Sequence, residues 1–213
     1  KTGTKEEILN TKEEGTEVVD LEGKLMVPGF NDSHMHLLMY SYNLQNVNLV
    51  GVESVDEIIE RGKKYIEEKD VPKGKWIIGL GWNQDYFKGE KIFPTRYDLD
   101  KISTDHPIVF IRTCYHVIVV NSKALELAGV TKDTPQIEGG KFDIDEKGEP
   151  LGIFRERAQT LVNKHIPEPT VEEIKEMLKE GMKKANECGI TSIQTDDFES
   201  FASKDYDKII RAY

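Results

Sequence analysis

VPGFNDSHMH, residues 27–36, is the stretch on which the reading of this chain turns. Pro28 and Gly29 interrupt regular structure, and the chain then runs from a strand-like FNDSH into an apolar, helix-like LLMY. Successive side chains of a strand point to opposite faces, so His34 and His36 face one way while Ser33 and Met35 face the other. Two imidazoles on one face can share a metal ion. Zinc takes neutral histidine nitrogens at about 2.0–2.1 Å, and a catalytic zinc uses about three protein ligands plus water. The pair is therefore an incomplete site, and an isolated H-x-H is equally at home on a plain polar strand face.

Upstream, EVVDLEGKLMV (17–27) places two short apolar runs around Glu22-Gly23, the grammar of a hairpin. Downstream, Ser54 and Glu57 form an S-x-x-E capping box that opens a helix over 54–68, with Val55, Ile58, Ile59 and Ile66 on one face. KWIIGLGW, HPIVFIRT and HVIVVN read as buried strands, and Ser122 is expected to cap a brief helix that Gly129 ends. Residues 141–154 alternate around a turn at 145–148, a second hairpin. A helix is expected over 156–163. From Thr170 a T-x-x-E box with Glu173 opens a long amphipathic helix through Ile174, Leu178 and Met182 to Cys188, where Gly189 ends it and the strand ITSIQT begins. Helix, glycine, apolar strand and a polar end at Asp196-Asp197 make an α/β unit that feeds a parallel sheet.

The 213 residues are 38% hydrophobic, enough for a buried core, and the net charge of -10 argues against a surface that tracks phosphates, so nucleic acid is not an expected partner. Cys114 and Cys188 stand far apart without C-x-x-C spacing, which fits a reducing cytoplasm. No run approaches 18 apolar residues, so no membrane partner is expected.

VPGFNDSHMH closely resembles the P-G-F-x-D-x-H-x-H signature of the amidohydrolase superfamily. The resemblance continues through WIIGLGWNQD, FPTRYDLDKIS, HPIVFIRTCYHVIVVNSKAL, GGKFDIDEKGEPLGIFRERA and GITSIQTD, which look like the YtcJ-like, or amidohydrolase 3, branch, some members of which bear the label exoenzyme regulatory protein. It implies an α/β metal-dependent hydrolase: a TIM barrel with a metal site at the C-terminal ends of its strands and a small β-sandwich beside it. It also implies a divalent metal, expected to be zinc as one or two ions, that activates water to hydrolyse a carbon–nitrogen bond other than a peptide bond. His34 and His36 match the first-strand ligands. Glu156 matches a glutamate able to serve as a bridging ligand or a pocket residue, or else is a helix-start glutamate favoured by the dipole. His116, flanked by Arg112 and Asn121, matches a segment near the substrate pocket, or hydrogen-bonds within the β-rich part; Asp196 faces that pocket or is an exposed turn residue. No residue is singled out as the general base.

A complete barrel needs about 250 residues, so this chain is expected to be the N-terminal piece of a longer protein. The expected division is part of the β-sandwich over 1–30, the first barrel strand and helices over 31–70, an inserted β-rich α+β domain over 71–155, and a return to the barrel over 156–213. Partners expected are a small-molecule substrate and, through exposed strand edges, further copies of the chain. Two other readings stay open: a non-catalytic regulatory or ligand-binding relative, and an inserted domain acting as an independent interaction module.

Overall fold

Polar caps and apolar periods decide where the elements fall. The computed structural model describes residues 2–213. It opens with a short exposed helix, α1 (Lys5–Leu9), which buries no side chain. Next comes β1 (Phe30–Met35), then α2 (Leu37–Leu44), β2 (Val47–Asn48), α3 (Val55–Glu68), β3 (Ile77–Trp82), α4 (Arg96–Asp100), β4 (Ile108–Arg112) and β5 (Val117–Val120). The second half adds α5 (Ser122–Ala128), β6 (Gly140–Ile144), β7 (Pro150–Glu156), α6 (Thr160–Asn163), α7 (Val171–Glu187), β8 (Ile190–Thr195) and α8 (Tyr206–Ala212).

These strands form two sheets. One is the parallel pair β1-β8; the other has six strands in the order β2-β3-β4-β5-β7-β6, parallel from β2 to β4 and antiparallel beyond. Strict alternation splits the centre of the larger sheet between two cores. Ile108, Phe110, Val117 and Val119 face one, with Trp82, Leu99 and Ile58; Val109, Ile118 and Val120 face the other, with Phe142, Phe154 and Val162. All four residues of β5 are buried, as expected of a strand covered on both faces. A third core, Leu37, Leu38, Ile174, Leu178 and Ile209, packs α2, α7 and α8 together beside β1 and β8. The larger sheet reaches back before residue 71, because β2 pairs with β3 and Val47, Leu49, Ile58 and Ile59 fill its core.

Three expectations are corrected. The hairpin over 17–27 reduces to its turn: the Lys24 N–H donates to the Leu21 carbonyl at 2.8 Å, with Glu22 and Gly23 both left-handed, but no ladder forms. Val19, Leu25 and Met26 stay 69%, 88% and 77% exposed, since a lone two-stranded ribbon has no layer on which to bury its apolar face. The β-sandwich piece thus supplies no strand among the described residues before Phe30. The helix over 156–163 starts later: Glu156 is the last residue of β7, at φ +52°, and only a 3-10 turn (Arg157–Gln159) and α6 come after it. Finally, α5 is capped by Asn121, whose side chain accepts from the Ala124 N–H at 3.0 Å, while Ser122 is bound to Asp100.

Candidate metal centre

β1 and β8 approach closely enough to pair because residue 29 has no side chain. A Cβ on Gly29 would lie 2.1 Å from Thr191 Oγ1, which gives the glycine of the opening motif a physical reason. The Phe30 N–H donates to the Gly189 carbonyl at 2.8 Å, and the register runs from Phe30↔Ile190 to Met35↔Thr195. The strand delivers His34 and His36 to one place, with ring centroids 5.5 Å apart and planes at 79°.

Each histidine is held differently. The His34 N–H donates to Asp32 Oδ1 at 3.0 Å, which fixes its backbone but leaves the ring without a hydrogen bond among the described residues. His36 occupies the N-cap of α2, and its Nδ1 lies 2.9 Å from the Asp196 carbonyl. A carbonyl only accepts, so Nδ1 carries the hydrogen and Nε2 keeps its lone pair, the arrangement of a metal-ligating imidazole oriented by a backbone oxygen. Two exposed imidazoles, one with its tautomer fixed, fit a zinc-type ion as two of its ligands. Among the described residues no group of three or more His, Cys, Asp or Glu is gathered to complete the set.

Glu156 accordingly does not stand with the histidine pair. Its carboxylate meets His116 Nδ1 at 2.9 Å at the end of β7 on the six-stranded sheet, and the Glu156 N–H donates to the His116 carbonyl. Arg112, four residues before His116, donates to Gln84 Oε1 at 2.9 Å, Asn83 Oδ1 at 2.8 Å and Asp85 Oδ2 at 3.0 Å, pinning the 3-10 turn Gln84–Tyr86. Asp196 lies beside His36 and contributes its main-chain oxygen; its carboxylate takes part in no described hydrogen bond. Trp82 is fully buried and donates to the Phe110 carbonyl, a packing role.

Two residues escaped the sequence reading. Cys114 sits between Arg112 and His116; burial pushes its thiol up, but bonds from the Arg112 side chain and the His116 N–H outweigh that and hold it below the ordinary thiol value. Asp197, 2% exposed, is the buried member of the Asp196-Asp197 pair. The only signal for it is its place two residues beyond the strand end.

The Glu156 carboxylate raises the His116 imidazole above its ordinary value by hydrogen bonding and then by charge. A raised folded-state value means that the pair's contribution is fully present below about 6.5 and is lost as pH rises through the folded value. An NMR titration of His116 is expected to give a midpoint above the ordinary imidazole value of about 6.5, with Glu156→Gln removing the rise; a midpoint that this substitution does not lower would contradict the pairing.

Residues 17–212 match the model of the amidohydrolase family. The chain is 35% identical over 186 residues to the protein YtcJ of Bacillus subtilis (strain 168), covering 87% of this chain and 35% of that protein. It is 32% identical over 166 residues to the N-substituted formamide deformylase of Arthrobacter pascens, covering 76% and 30%. Among solved structures, a metal-dependent hydrolase from Pyrococcus horikoshii OT3 superposes with a TM-score of 0.65 at 33% identity, over 97% of this chain and 37% of that one. The chain thus spans about a third of the length of the curated relatives it matches. With nearly its whole length covered and its histidine motif at the end of a parallel strand, the chain belongs to the amidohydrolase family.

Proposed function

We propose that this chain supplies the first two ligands, His34 and His36, of a divalent-metal site in a hydrolase that cleaves a carbon–nitrogen bond other than a peptide bond in a small-molecule substrate. The observation that carries the reading is the histidine pair at the C-terminal end of β1, with His36 Nε2 left free by the bond from Nδ1 to Asp196. The bound metal, zinc by the donor set, would supply Lewis acidity and lower the pKa of a bound water. The chain's own part is to fix one imidazole tautomer and to present both rings on one face.

The amide class is supported by the formamide deformylase among the relatives. Parallel β1 and β8, with α2 and α7 packed beside them, support the start of a TIM barrel into which the six-stranded sheet is inserted. His116, Arg112 and Asp196 are proposed for the substrate side, and Glu156, engaged by His116, belongs with them. Two free cysteines support a reducing, cytoplasmic setting, and no helix among the described residues is long and apolar enough to cross a membrane.

Calorimetric titration with zinc is expected to show weak binding that either His34→Ala or His36→Ala removes, because two ligands are fewer than the about three of a catalytic site. Binding that survives both substitutions would sink the assignment. The outer edges of β1 and β8 carry no partner strand among the described residues, and Phe30 is 62% exposed at that edge. Self-association through these edges is expected, so light scattering should give a mass above the 24.3 kDa of one chain; a monomer at all concentrations would exclude it.

A further inference from the structure

Three consecutive residues at the end of β8 hold three consecutive residues at the start of α2. Thr195 Oγ1 accepts from the Leu37 N–H at 3.1 Å, the Asp196 carbonyl accepts from His36 Nδ1 at 2.9 Å, and Asp197 Oδ2 accepts from the Leu38 N–H at 2.9 Å. The central contact orients a proposed metal ligand, and the outer two dock β8 onto the first turn of the helix that this ligand caps.

Asp197 is the unusual member. A carboxylate 2% exposed, with no salt bridge among the described residues, is costly to bury unless hydrogen bonds replace its water. Here Tyr213 donates to it at 2.5 Å and Ser200 at 3.3 Å, besides Leu38. The Thr195 hydroxyl also donates to it, which turns a lone pair of that oxygen toward the Leu37 N–H. Its charge faces the N-terminus of an eight-residue helix whose N-cap, His36, makes no side-chain cap of its own.

We infer that Asp197 is a positioning residue: through Thr195 and the first turn of α2 it holds the Asp196 carbonyl against His36 Nδ1 and so keeps Nε2 free for the metal. This rests on the metal reading of His36. Without Asp197, the Leu38 N–H loses its acceptor, the Thr195 hydroxyl is free to rotate, and the Asp196 carbonyl can leave the ring, which then samples both tautomers.

The test is long-range 15N NMR of the metal-free full chain well above the ordinary imidazole value. His36 is expected to be uniformly Nδ1–H in the unaltered protein, against a mixture at exposed His165. Asp197→Ala should move His36 to a mixture and weaken zinc binding by about 10–100-fold, the usual effect of removing an outer-shell partner. Asp197→Asn, which keeps an oxygen for the Leu38 N–H, should restore much of the tautomer. Tyr213→Phe, which removes a bond to Asp197 away from α2, should leave it unchanged even where stability falls. A folded Asp197→Ala chain with His36 still uniformly Nδ1–H overturns the inference; should that variant not fold, Thr195→Val, which takes the acceptor from Leu37, decides the matter by the same readout. A tautomer that depends on Asp197 in a chain that binds no zinc keeps the clamp and removes the metal reading. Zinc binding through His36 that is indifferent to Asp197 does the reverse.

Discussion

Asn121→Ala is expected to destabilise the chain by about 3–5 kcal/mol. Asn121 is fully buried in the sharp connection between β5 and α5, and all four of its hydrogen-bonding capacities are used. Its Oδ1 accepts from the N–H groups of Ile108 and Ala124, and its Nδ2 donates to the carbonyls of Ser103 and His106, all between 2.9 and 3.0 Å. Loss of the helix cap costs about 1 kcal/mol, and each buried group left without a partner adds about 1–3 kcal/mol. For a domain of this size the melting temperature should fall by roughly 10 °C or more. Asn121→Asp should be comparably harmful, because it sets a carboxylate oxygen against two carbonyls. A loss below about 1 kcal/mol for Asn121→Ala in urea unfolding would show that this network contributes far less than its burial implies.

The second large effect is at Gly181, where α7 touches α2. A Cβ there would lie 1.9 Å from Ser41 Oγ and 3.0 Å from Ser41 Cβ. Ser41 has little freedom to yield, being fully buried with its hydroxyl donating to the Leu37 carbonyl at 2.7 Å. Gly181→Val should therefore cost up to about 3 kcal/mol by overpacking, more than the several tenths gained in helix propensity. The helix pushed aside is the one capped by His36, so zinc affinity should fall with stability. Adding Ser41→Gly removes the clashing atoms and should recover most of both. A Gly181→Val chain as stable as the original would mean that the two helices are free to separate.

The parts of this structure legible in the sequence are those decided locally. The alternating run from Ile108 to Val120 specifies β4 and β5 because each side chain has one of two faces to choose, and both faces are buried. Both halves of the Thr170–Glu173 capping box form as the spacing requires, since they lie within one turn. His34 and His36 come together because they are two residues apart at the junction where β1 ends and α2 begins, although His36 is already the N-cap of the helix and not a strand residue. What was not legible depends on distant partners. Asn121 and Ser122 can both cap a helix; the carbonyls of half-buried Ser103 and buried His106 select Asn121. Asp196 and Asp197 are the same residue type in succession, and the arrival of α2 and Tyr213 decides which one is buried. Residues 17–27 carry hairpin chemistry, yet the strands lack a surface to lie on, so only the turn survives.

His36 and the carbonyl that orients it are 160 residues apart in the chain. At a synthesis rate of about 5–20 residues per second, the ribosome makes the histidine pair roughly 8–30 s before it makes Asp196. Throughout that interval His36 lacks the backbone oxygen that orients its ring. The strand that leads to this carbonyl, β8, pairs with β1 across the whole length of chain that forms the six-stranded sheet, so the aim of the His36 ring is a property of the closed chain and not of its own segment.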